Sequence, residues 1–139
     1  MRHLTRNIYP GLICGIVIMI LVGLPGSCFP TVKTFWEWLG PDKIVHLLMF
    51  GTLAFLIPFG YRRDYVQRDI AYGKRLLWLS LLIAAAYGGL TELLQRYVFI
   101  GRSGSLYDFY ADVIGCVLGV FIFKMSYRKK MKKKSLLVQ

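Results

Sequence analysis

Acidic residues are scarce in this chain of 139: seven Asp and Glu stand against 18 Lys and Arg, for a formal net charge of +11. Cysteines number only three, at positions 14, 28 and 116. Cys14 and Cys116 fall inside apolar runs and Cys28 lies alone beyond the first, so no pair is expected to share a neighbourhood, and the absence of any Cys-x-x-Cys leaves a zinc-ribbon module without support. No Gly-x-x-x-x-Gly-Lys-Ser/Thr occurs, which excludes a P-loop nucleotide enzyme. Internal repeats and low-complexity linkers are lacking too, so residues 1–139 read as one domain. A soluble helical bundle needs polar residues recurring at i, i+3 and i+4 on an exposed face, and Cys14–Leu24 and Leu76–Ala86 have no such face.

What is present is apolar. Hydrophobic residues make up 56% of the chain and mean hydropathy is +0.52, far from the composition of an ordinary soluble domain. Four runs carry it: Ile8–Leu24, Ile44–Phe59, Leu76–Tyr97 and Asp108–Met125. At about 1.5 Å per residue these approach the roughly 30 Å hydrocarbon thickness of a bilayer. The expected fold is all-α, a membrane four-helix bundle with helices over about 8–24, 43–59, 76–97 and 108–125, and a basic cytoplasmic tail at 126–139.

Basic residues orient the bundle. Of the 18 Lys and Arg, 14 fall before the first run, between the second and third, or from Lys124 onward. The positive-inside rule then puts both termini in the cytoplasm. The net charge is therefore topology information, and no nucleic-acid partner is implied; the tail "KKMKKKSLLVQ" is positioned to meet anionic lipid headgroups. The N-terminus followed by "LPGSC" outlines a signal peptide with a lipoprotein-like site at Cys28. Pro25 fits that site poorly, and the first helix is expected to stay uncleaved. The stretch "GYRRDYVQRDIAYGKR" reads as a short cytoplasmic connection, and Trp36 and Trp38 as interfacial anchors.

Against this background the stretch "TELLQRYVFIGRSGSLYDFYADVIG" is anomalous. Helix periodicity puts His46 on one face with Asp42, Glu92 with Gln95, and Asp112 with Asp108. Depth arithmetic then places His46, Glu92 and Asp112 in one layer, about a turn below the outer surface, with Asp42, Gln95, Arg96, Arg102 and Asp108 above it. Facing lipid, such groups cost about 2.5–3.5 kcal/mol each, so they should face one another or a water-filled cup open to the outside. The bland alternative is a cluster that only glues helices, Arg102 pairing Asp108 or Asp112 and His46 bridging Glu92; five ionisable side chains exceed what that requires. Gly115 and Gly119 supply a small-xxx-small spacing for close helix approach. Ser105 is placed to cap the fourth helix, with nearby backbone amides available to an anion.

The segments "DKIVHLLMFGTLAFL" and "TELLQRYVFIGRSGSLYDFYADVIGCVLG" resemble the VanZ-like family of small bacterial membrane proteins, through Asp-Lys-x-x-His, Glu-x-x-Gln, Gly-Arg and Asp-x-x-x-Asn/Asp-x-x-Gly. The likeness spans about Pro41–Gly119. It implies a multi-pass protein of the bacterial cytoplasmic membrane, and its polar signature falls on Asp42, His46, Glu92, Gln95, Arg102, Asp108 and Asp112. The family takes its name from a member associated with low-level resistance to the glycopeptide teicoplanin. Where the family often has Asn, this chain has Asp112.

Three function classes fit. One is a membrane enzyme acting on an outer-leaflet lipid or cell-envelope component, with Glu92 or Asp112 as general acid or base, His46 oriented by Asp42, and Arg102 clamping a phosphate or carboxylate. Ser103 and Ser105 lack a paired base, so no nucleophile stands out; a divalent cation held by oxygen ligands and one imidazole is an option that fills the gap. The second is a non-catalytic binder that shields an envelope ligand. The third, a small proton-coupled transporter, needs acids near mid-membrane, and these lie near one face.

Overall fold

In the computed structural model, which describes residues 2–24, 41–99 and 105–137, all regular structure is helical: α1 (Arg2–Gly23), α2 (Pro41–Gly60), α3 (Arg62–Gln67), α4 (Ile70–Tyr97) and α5 (Leu106–Leu137). Three stretches are long and apolar enough to cross a bilayer: Asp42–Gly60, Ile70–Tyr97 and Leu106–Tyr127. The apolar part of α1, Ile8–Gly23, is shorter. Large side chains such as Leu48, Trp78, Leu82 and Phe121 are more than half exposed, an outward apolar surface that belongs against acyl chains rather than water.

The helix boundaries depart from expectation at three places, the first being α1, which begins at Arg2, six residues before Ile8. The stretch expected as a plain connection contains α3, and α4 starts six residues before Leu76. Asp69 explains the early start: its side chain accepts the Tyr72 N–H at 3.1 Å, an N-cap that satisfies one orphan donor of the first turn. The third departure is at the C-terminus, where α5 continues past Met125 to Leu137. No Gly or Pro follows Gly119, and Lys and Arg are good helix formers, so nothing in the basic tail stops the helix.

Helix α2 is central. It packs most extensively on α5 and also meets α1 and α4. Glycines set the α2–α5 spacing: a Cβ at Gly115 would run into the Leu47 carbonyl oxygen, and one at Gly119 into that of Gly51. Only backbone without side chains fits here, so the small-residue spacing of α5 finds its neighbour in α2, where Gly51 reciprocates. The apolar core gathers Ile18, Val22, Phe50, Leu53, Ala84 and Cys116 from four helices. Helix α1 is tied on by the Tyr87 hydroxyl, which donates to the Gly15 carbonyl at 2.7 Å. Away from the polar residues, the buried Phe123 ring packs against Tyr127, Tyr65 and Phe55, with centroids 4.7, 5.1 and 5.8 Å away.

Candidate functional site

Helices α2, α4 and α5 each carry one ionisable residue to the same point. His46 Nδ1 lies 2.9 Å from Asp112 Oδ1 and 3.6 Å from Glu92 Oε1. His46 is 2% exposed, Glu92 8% and Asp112 fully buried. The sequence places these residues one per helix, and the glycine seam between α2 and α5 brings two of the helices close enough for direct contact. Gly88 does the same for α4: a Cβ there would come within 3.0 Å of Asp112 Oδ2, so the carboxylate lies against bare helix backbone. The His46 ring also stacks on Phe50, one turn along, with centroids 6.2 Å apart.

The surrounding groups hold the carboxylates in fixed orientations. Ser105 does cap α5, its hydroxyl accepting the Tyr107 N–H at 3.2 Å. Its own N–H donates at 2.8 Å to Glu92 Oε2, so the anion that this amide meets is the chain's own glutamate. Asp108 is buried, and its Oδ1 stands 3.6 Å from Lys43 Nζ. Gln95 is buried beside Glu92 on the same face of α4. Four buried side-chain atoms have no hydrogen-bond partner among the described residues: Glu92 Oε1, Gln95 Nε2, Asp108 Oδ1 and Asp112 Oδ2. Unpaired polar atoms in a low-dielectric site are costly, and they mark a place where a further partner is wanted.

Several expectations change here. His46 is oriented by Asp112, whereas Asp42 stands exposed in the first turn of α2, its charge within electrostatic reach of His46, Asp108 and Asp112. Lys43, passed over as a site residue, is the cation beside Asp108; its i, i+3 spacing to His46 was the available signal. Arg102, Ser103 and Cys28 lie outside the described residues. Cys14 and Cys116 are free thiols, as expected.

Of the cluster, Glu92 lines a cleft of about 510 Å³ between α4 and α5, together with Leu90, Leu93, Arg96, Ser105 and Phe109. Ala86 and Leu90 are shared with a larger apolar groove of about 770 Å³ along α1 and α4. The VanZ/LLP1 family matches residues 12–127, from within α1 to the end of the apolar part of α5. The chain belongs to the VanZ/LLP1 family. The match reaches beyond Pro41–Gly119 and takes in α1 from Leu12 onward. With three helices long enough to span, this VanZ/LLP1 chain is a multi-pass membrane protein. Comparison with curated proteins and with solved structures returned no match.

Proposed function

We propose that this VanZ/LLP1 protein binds or modifies the polar head of an outer-leaflet lipid or lipid-linked cell-envelope component at the His46–Glu92–Asp112 cluster. The observation that supports this reading is that the cleft lined by the buried Glu92 and by Arg96 shares Ala86 and Leu90 with an apolar groove along α1 and α4. An amphiphile would keep its chain along α1 and α4 and set its head against Arg96, a cation suited to phosphate or carboxylate. Glu92 and Asp112, bridged by one imidazole, form the acid–base pair available for proton transfer to that head. Sequestering or altering such a component changes antibiotic access, the form in which the family's teicoplanin association would extend to this chain.

Purified protein reconstituted with labelled envelope lipids tests this. One lipid class should be retained by the wild type, and its conversion, followed by mass spectrometry, should disappear in Glu92→Gln. Retention without conversion selects the non-catalytic binder. Lipid retained and converted equally by wild type and Glu92→Gln would overturn the assignment of the cluster, and failure to retain any envelope lipid would overturn the reading altogether.

A further inference from the structure

Among the described residues the charges of the polar cluster, taken as ionised, do not balance. Lys43 accompanies Asp108 at 3.6 Å, and the positive partner that Glu92 and Asp112 meet among these residues is His46. An imidazolium supplies one charge against two. Burying the remaining negative charge in a bilayer is expensive unless a proton or a metal cation accompanies it.

Two of the three ligand-atom separations are close to those found around a metal ion. One atom each from His46, Glu92 and Asp112 can be chosen so that all three lie within 4.8 Å of one another. Ligands about 2.1 Å from a shared ion stand about 3.0 Å apart at right angles and about 3.4 Å apart at the tetrahedral angle. The separations of His46 Nδ1 from Asp112 Oδ1 and Glu92 Oε1, 2.9 and 3.6 Å, bracket that range.

Two independent observations point the same way. Glu92 Oε1 and Asp112 Oδ2 are buried without a hydrogen-bond partner among the described residues. The other Glu92 oxygen is fixed by the Ser105 N–H at 2.8 Å, the kind of outer contact that orients a ligating carboxylate.

We propose that His46, Glu92 and Asp112 bind one divalent first-row metal ion, at a three-ligand site that adjoins the α4–α5 cleft through Glu92. One imidazole and two carboxylates suit zinc, manganese or iron(II) better than the all-oxygen preference of calcium. Binding replaces the proton that Nδ1 shares with Asp112, and that proton leaves to solvent; the ion's two charges cancel those of the two carboxylates. The inference goes beyond the lipid reading, since the ion would be held whether or not a lipid is converted.

Metal analysis of protein purified in detergent through a tag free of histidine should find about one divalent transition-metal ion per chain. After chelation, added Co²⁺ should give a visible ligand-field spectrum that Zn²⁺ abolishes. Asp112→Asn and Glu92→Gln should weaken Co²⁺ binding at least about tenfold, while Asp64→Asn, remote from the cluster, binds as the wild type does. Glu92→Gln is the decisive variant, because its amide oxygen still accepts the Ser105 N–H and the fold should persist. Wild-type protein that is monodisperse yet carries no metal and gives no Co²⁺ spectrum would overturn the proposal. So would a monodisperse Glu92→Gln that binds Co²⁺ undiminished. Protein that retains and converts lipid yet carries no metal and gives no Co²⁺ spectrum would sink this inference and leave the lipid reading standing.

Discussion

Replacing Gly119 by alanine adds one methyl group at the tightest point between α2 and α5. Its Cβ would meet the Gly51 carbonyl oxygen and stand 2.9 Å from the Gly51 carbonyl carbon and 3.2 Å from its Cα. Comfortable carbon–carbon contact begins at about 3.5 Å, so the helices must part by about 0.5 Å or more at this level. Every obstructing atom is backbone, and no rotamer change relieves the clash. Two effects compete: alanine is favoured over glycine inside a helix by about 1 kcal/mol, whereas overpacking costs about 1–3 kcal/mol, occasionally more. With backbone as the obstacle the upper part of that range applies, and we expect a net loss of about 2 kcal/mol. Gly89→Ala is the matched control, because its Cβ meets only Phe109 Cε2 at an ordinary 3.5 Å. Helix propensity alone acts there, and the variant should be as stable as the wild type or slightly more so. Thermal unfolding in detergent, followed by loss of the monodisperse peak on size exclusion, measures both. Gly119→Ala as stable as the wild type, or the two variants equally destabilised, would refute the argument that backbone contact sets the α2–α5 spacing.

Three further outcomes are expected. Lys43→Met strands the buried Asp108 carboxylate and should cost on the order of 1–3 kcal/mol; adding Asp108→Asn should recover part of it, as a double-mutant cycle will show. Phe123→Ala removes the centre of the aromatic cluster and should cost about 3–5 kcal/mol while leaving Co²⁺ binding intact, as unfolding and visible spectra of the same sample will report. Burial pushes the Tyr65 phenol above its ordinary value of 10.0, so the unfolded chain loses this proton first. The contribution of Tyr65 to stability should be intact below pH 10 and decline as pH rises from there through the folded value. Unfolding midpoints against pH for Tyr65→Phe should lack this share of the alkaline decline.

Much of the site was legible before any coordinates. Span positions and helix periodicity suffice to bring His46, Glu92 and Asp112 to one depth, because a bilayer leaves buried polar groups few options beyond meeting one another. Gly115 and Gly119 likewise announced close packing. Sequence could not say that Asp112 rather than Asp42 holds His46, since both candidates lie within reach and only interhelical rotation decides between them. Lys43 was overlooked because an arginine looked like the natural partner for the aspartates. The early start of α4 rests on a single cap at Asp69, a local signal easily lost in a polar loop. Basic residues after Met125 read as a charge bias on topology, yet Lys and Arg are also good helix formers, and α5 runs through them to Leu137.

The contact between His46 and Asp112 is the point on which the site rests, and a double-mutant cycle measures it directly. Unfolding free energies of His46→Ala, Asp112→Ala and the pair should give a favourable coupling above about 1 kcal/mol. Losses that add to within about 0.5 kcal/mol would mean that the two side chains do not meet.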